Sequence, residues 1–113
     1  MQEDIFSEQE KQRYQRHLSI PEIGASGQLK LKNASVMIVG AGGLGSASSL
    51  YLAAAGVGTI GIMDSDSVEL SNLQRQIIHD TPSLGKQKVE VAEKRLSELN
   101  PNICVKPYSI RAA

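Results

Sequence analysis

Between Ser35 and Asp64 the chain reads as strand, glycine turn, helix and strand, within about thirty residues, the length of a βαβ unit. Ser35-Val36-Met37-Ile38-Val39-Gly40 is a continuous apolar run closed by a glycine. That is the pattern of a strand buried on both faces of a parallel sheet. Gly42 to Ala55 is rich in Gly, Ala, Ser and Leu and predicts a helix lying close against the sheet, with Gly56 as the left-handed residue past its end. Thr59-Ile60-Gly61-Ile62-Met63 predicts the second strand, ending at Asp64. A crossover of this kind is right-handed almost without exception. The unit confines the chain to the α/β class.

The flanks fit around it. Ser7-Glu8-Gln9-Glu10 reads as a capping box, with Ser7 as N-cap and Glu10 at N3. A helix to about Leu18 follows, carrying Arg13, Tyr14, Arg16 and His17, until Pro21 and Gly24 break it. Gly27 to Ala34 predicts a second short helix. Downstream, Ser71 to Pro82 is polar loop with a helical turn. Lys86 to Leu99 is the clearest amphipathic helix, with Val89, Ala92, Leu96 and Leu99 on one face. Glu90 and Lys94 stand at i,i+4 in the favourable order, and Asn100-Pro101 ends the helix. Ile103 to Tyr108 predicts a third strand, where Pro107 signals an edge or strand end. The expectation is an α/β fold in two parts: a helical segment over residues 1–34, then a Rossmann-like βαβ nucleotide-binding unit over 35–113, with a truncated parallel sheet.

Charge and composition narrow the function. The 113 residues fit one small domain. Twelve Lys and Arg balance twelve Asp and Glu, which argues against a nucleic-acid partner. Cys104 alone can build neither a disulfide framework nor a zinc site, and a small core residue is its expected role. His17 and His79 have no company of metal ligands and are expected to be structural or superficial. The start, Met1-Gln2-Glu3-Asp4, is acidic and lacks the basic region of a signal peptide. No run approaches the roughly 20 apolar residues that span a bilayer. The expectation is a cytoplasmic protein without a membrane partner.

Gly40-Ala41-Gly42-Gly43-Leu44-Gly45 contains G-x-G-x-x-G at Gly40, Gly42 and Gly45, between a predicted strand and a predicted helix. Such glycines let phosphate oxygens approach main-chain N–H groups, and the helix N-terminus adds partial positive charge. Asp64, at the end of the next strand, suits ribose hydroxyls. These residues alone favour NAD. The segment after Asp64 argues otherwise. Instead of a short loop into a crossover helix there is a long polar run, Asp64 to Gln76, that offers a phosphate clamp. Arg75 supplies a planar fork of donors, Asn72 a hydrogen-bonding amide, and Lys88 a cation in the first turns of the next helix. Cleavage between the α- and β-phosphates of ATP needs such cations, with Mg²⁺, against the charge of the departing pyrophosphate. Taken singly, Arg75 and Lys88 read as solvated surface charges; their company with the glycine turn changes that. Asp66 is open between loop cap and second nucleotide contact. No G-x-x-x-x-G-K-[ST] sequence is present, which excludes a P-loop.

From Arg13 to Tyr108 the chain resembles the MoeB/ThiF/HesA family, relatives of ubiquitin-activating enzymes. The resemblance is carried by Arg13-Tyr14-Gln15-Arg16-His17-Leu18, Pro21-Glu22-Ile23-Gly24 with Gly27-Gln28, the glycine turn, Tyr51 to Gly58, Ser71-Asn72-Leu73-Gln74-Arg75-Gln76, and Gly85 to Glu90. It implies adenylation by ATP of the C-terminal glycine of a small ubiquitin-like sulfur-carrier protein, in molybdopterin or thiamine biosynthesis. It implies that Gly43 lies at the phosphates, Asp64 at the ribose, and the stretch Ser71, Asn72, Leu73, Gln74 and Arg75, with Lys88, at the nucleotide. Arg16 would reach the ATP of the other subunit of a homodimer; on its own helix it reads only as surface charge. The family also carries a further acidic residue near ATP and Mg²⁺, and zinc-binding Cys-x-x-Cys pairs, in sequence beyond this chain. The expectation is therefore a truncated product, an expressed piece, or half of a split enzyme. Two other functions compete: a nucleotide-binding or dimerisation module without turnover, and part of an NAD-dependent oxidoreductase, which Asn72 and Arg75 disfavour.

Overall fold

The computed structural model describes residues 6–40 and 42–110. Helices α1 (Glu8–Arg13), α2 (Gln15–Leu18) and α3 (Gly24–Lys32) lead into strand β1 (Ser35–Val39). Then come α4 (Gly43–Ala55), β2 (Thr59–Met63), two 3-10 turns (Leu70–Asn72 and Thr81–Ser83), α5 (Lys88–Leu99) and β3 (Cys104–Tyr108). The strands form one parallel sheet in the order β1-β2-β3, with Ser35 opposite Thr59 and Thr59 opposite Cys104. The expected α/β fold is present.

Both crossover helices lie on one face of this sheet. Ala53 of α4 and Val89, Ala92 and Leu96 of α5 pack with Ile60, Ile62 and Val105, and Val36 and Ile38 border the cluster. Removing each of the Val, Leu and Ile side chains from water stabilises the fold by about 1.5–3 kcal/mol. Two consecutive right-handed crossovers put their helices on the same side. The opposite face, with Met37, Val39, Cys104 and Tyr108, is exposed. This corrects two expectations. Only β2 is covered along its centre, while β1 alternates exposed and half-buried. Cys104 is exposed rather than core, because period-two alternation aims it at the bare face. Pro107 does sit on an edge strand, where a missing N–H is tolerated.

The helix ends follow local chemistry. The Ser7 capping box forms in both directions, each bond 3.1 Å. The single helix expected to Leu18 is interrupted at Tyr14, whose ring is buried against Gly56. Helix α3 starts at Gly24, three residues early, and α5 at Lys88, two residues late. Gly56 ends α4 with paired bonds, Gly56 N–H to Ala53 O and Val57 N–H to Leu52 O, the Schellman arrangement. Leu99 is exposed because α5 is already leaving the core there. Glu90 and Lys94 do not pair; Arg95 instead reaches Asp80 at 3.3 Å.

A buried polar junction ties the N-terminal helices to this unit. Asn100 donates to Tyr14 Oη and to Ala53 O, both at 2.7 Å. Gln28 donates to Ala55 O at 2.9 Å, so its Oε1 is left to accept from His17 Nδ1, also at 2.9 Å. Arg13 donates to Leu99 O. Carbonyls near the C-terminal ends of α4 and α5, which lack the regular helical partner, thereby gain side-chain donors, Ala53 O in addition to the Gly56 N–H. His17 has the structural role expected of it.

Candidate nucleotide site

At the carboxyl end of the sheet, β1 passes into Gly40, whose φ of +94° is the left-handed conformation that favours glycine. Its N–H donates to Met63 O at 2.7 Å, which sets the turn beside the end of β2 and hence beside Asp64. Ala41 of the glycine run lies outside the described residues. Gly42 is the N-cap of α4 and Gly43 its first residue. At Gly45 a Cβ would stand 2.0 Å from Gly40 O. No side chain fits there, and this closeness lets the helix start immediately over the strand.

The polar run folds back toward this turn. Asp64 accepts from the Asp66 N–H at 2.8 Å, and Asp66 O accepts from the Lys88 N–H at 3.0 Å. Asp66, Ser67, Glu69, Asn72 and Lys88 line one small cavity of about 200 Å³. Asn72 Oδ1 accepts from Glu69 N–H at 2.9 Å and shapes its wall. Lys88 is only 6% exposed, yet takes part in none of the ion pairs among the described residues. The carboxylates of Asp66 and Glu69 line the same cavity without closing an ion pair on it. The surface-charge reading of Lys88 is therefore wrong, since the start of α5 is packed under this loop. Arg75 is exposed, with its guanidinium on Ser71 O of the same loop at 3.1 Å. Ser71 and Gln74 are also exposed and Leu73 is half-buried.

The structure thus gathers Gly40, Gly42, Gly43, Gly45, Asp64, Asn72 and Lys88 at one end of the sheet. Arg16 is elsewhere. It is exposed on α2 and shares a cleft with Ala54, near the far end of α4 from the glycine turn. At about 1.5 Å per residue, that end lies roughly 16 Å away along α4.

Two residues of this region make pairings that carried no local signal. Gln76 is 4% exposed, its Nε2 lies 3.9 Å from where a Cβ on Gly42 would sit, and its Oε1 has no hydrogen-bond partner. Ser46 Oγ accepts the Ile78 N–H at 2.8 Å inside the core. Neither pairing follows a helical or strand period, so neither was readable without the fold. Among the described residues no group of three or more His, Cys, Asp or Glu could hold a metal ion. None of their helices is long and apolar enough to cross a membrane.

A parallel sheet, crossover helices on one face and a glycine turn between β1 and α4 define a Rossmann-like α/β protein. The ThiF family model matches residues 14–113. The chain is 52% identical over 108 residues to the "Probable adenylyltransferase/sulfurtransferase MoeZ" of Mycobacterium tuberculosis (strain ATCC 25618 / H37Rv), covering 96% of this chain and 28% of that protein. It is 53% identical over 107 residues to the "Adenylyltransferase and sulfurtransferase UBA4" of Vanderwaltozyma polyspora, covering 94% and 24%. Among solved structures, PaaA superposes with a TM-score of 0.90 at 34% identity, over 96% of this chain and 36% of that one. Escherichia coli MccB with ATP gives 0.72 at 41% identity, over 74% and 25%. The chain belongs to the ThiF family. It spans about a quarter of the length of these curated relatives.

Proposed function

We propose that this chain supplies the nucleotide-binding part of an ATP-dependent adenylating enzyme, acting on the C-terminal glycine of a small ubiquitin-like sulfur carrier. The observation that carries the reading is Lys88: a largely buried lysine with no close ion pair among the described residues, in a polar cavity with Asp66, Glu69 and Asn72, beside a glycine turn built for close approach. A phosphate in this cavity would give Lys88 the close ion pair that it lacks among the described residues. The names of MoeZ and UBA4 as adenylyltransferases and the ATP complex of MccB support the same reading.

In this reading the N–H groups at the start of α4 face phosphate, and Asp64 accepts from the ribose. Arg75 and Lys88 hold the triphosphate. A substrate carboxylate oxygen attacks the α-phosphorus; the bond from that phosphorus to the bridging oxygen breaks, and pyrophosphate leaves with the electron pair. Fixed cations at the leaving phosphates act where charge grows, which lowers the barrier. Mg²⁺ would be held chiefly by phosphate oxygens, with one or two carboxylates at most, the usual manner for this ion. The distance of Arg16 from its own glycine turn favours a role in a second copy's site, in a homodimer. Zinc belongs, in this reading, to sequence beyond the chain.

Calorimetric titration with Mg-ATP and with NAD⁺, on the wild type and on Arg75→Ala, tests the proposal. The expected result is ATP binding weakened about tenfold or more in the variant, as for loss of a charge-assisted bidentate contact, with little NAD⁺ binding. Carrier-dependent pyrophosphate exchange is expected to rank the two proteins in the same order. Preference for NAD⁺ would overturn the reading. Nucleotide binding without any exchange, in the protein carrying its remaining sequence, would leave a binding module.

A further inference from the structure

We infer that Ser46 is a positioning residue that anchors the loop bearing Arg75 to the start of α4, a role that rests on the nucleotide-binding reading above. Ser46 lies in the first turn of α4, where its N–H donates to Gly42 O at 2.7 Å. Its side chain is 1% exposed, and its Oγ accepts the N–H of Ile78, thirty-two residues on, at 2.8 Å. Ile78 is itself fully buried and lies between the two 3-10 turns, so no helix or strand supplies an acceptor for that N–H. A buried backbone donor needs one. Ser46 provides it from the helix whose N-terminus forms the phosphate side of the site.

The consequence falls on Arg75. Its side chain is exposed and, among the described residues, its guanidinium bonds only within its own loop, to Ser71 O. Its position is inherited from the ends of the segment that carries it. One end is Asn72, whose carbonyl accepts the N–H groups of Arg75 and Gln76 at 3.2 and 2.9 Å. The other is Ile78, fastened to Ser46. Between them, Gln76 packs its amide under Gly42. The same short stretch of α4 thus fixes both the turn that meets phosphate and the loop that brings the arginine. Without the hydroxyl, Ile78 N–H is left buried and unbonded, and the segment shifts to relieve it.

The experiment is a double-mutant cycle on Mg-ATP affinity: wild type, Ser46→Ala, Arg75→Ala and the double variant, with Ser49→Ala as control. Ser49 is equally buried in α4 and donates to Ser46 O, but has no hydrogen bond to Ile78 among the described residues. Ser46→Ala is expected to bind ATP about tenfold more weakly than wild type. The double variant is expected to bind no more weakly than Arg75→Ala, and Ser49→Ala like wild type. An effect of Ser46→Ala that persists undiminished without Arg75, or an equal effect of Ser49→Ala, would reduce Ser46 to ordinary packing and overturn the inference alone. Loss of ATP binding in none of the arginine variants would sink the functional reading and this inference with it. Amide exchange in the wild type needs no variant. Ile78 N–H protected before nucleotide is added supports the clasp; exchange as fast as at exposed Gln74 overturns it.

Discussion

Lys88 is buried in a cavity wall that Asp66 and Glu69 also line, yet it closes no ion pair with either among the described residues. Such an arrangement costs folding free energy in the absence of a ligand and recovers it on binding an anion. Lys88→Met, of similar length and without the charge, is therefore expected to be more stable than wild type by about 1 kcal/mol without nucleotide. It is also expected to lose ATP affinity. Thermal unfolding with and without Mg-ATP checks both: the midpoint rises in the variant, and the ATP-induced increase seen in the wild type disappears. A variant less stable without nucleotide would mean that the ammonium serves the fold. At this scale the glycines, Asp64, Asn72 and Lys88 were legible in the sequence, since each belongs to a local pattern. That Lys88 is buried was not, because burial depends on the Ser67 to Lys86 loop closing over the start of α5 through the Val68 and Gly85 backbone bonds.

Helix α1 is held to α3 by one carboxylate. Burial pushes the Glu10 carboxyl up, but the Ser7 N–H, the hydrogen bond and charge of Lys32, and the Ser7 hydroxyl together outweigh burial and hold it below its ordinary 4.5. Lys32 Nζ stands 3.1 Å from Glu10 Oε1, and its ammonium also lies over the Phe6 ring. A carboxylate whose pKa falls on folding stabilises the native state above its unfolded pKa. That stabilisation is lost as pH falls through the lower folded value. Glu10→Gln is expected to be less stable than wild type by about 1–2 kcal/mol at pH 7. The difference should narrow as urea midpoints are measured at successively lower pH below 4.5. The capping box, the glycine end of α4, the amphipathic α5 and all three strands could be read from sequence, because caps and periods are short-range signals. The break at Tyr14 and the Asn100 junction could not, because they join residues 86 apart.

Taken whole, the molecule is a sheet clothed on one side. Met37, Val39 and Tyr108 share the bare face, with Val39 64% exposed on a strand whose outer edge has no partner among the described residues. Bare edges and apolar faces promote association. Val39→Lys is expected to lower self-association of this chain, read as a shift toward monomer in sedimentation velocity, with an unchanged far-UV circular dichroism spectrum. An unchanged distribution would show that this face does not drive association. The apolar run of β1 announced a buried strand, but not which side of the sheet the helices cover. The junction of Asn100 with Tyr14 has a further consequence, in time. A ribosome adding about 5–20 residues per second reaches Asn100 some 4–17 s after Tyr14. Ala55 and Gly56, which Gln28 and Tyr14 also meet, emerge well before Asn100, so the N-terminal helices gain part of their seat first. The hydrogen bond to the Tyr14 hydroxyl is the last clasp to close in the birth of the chain.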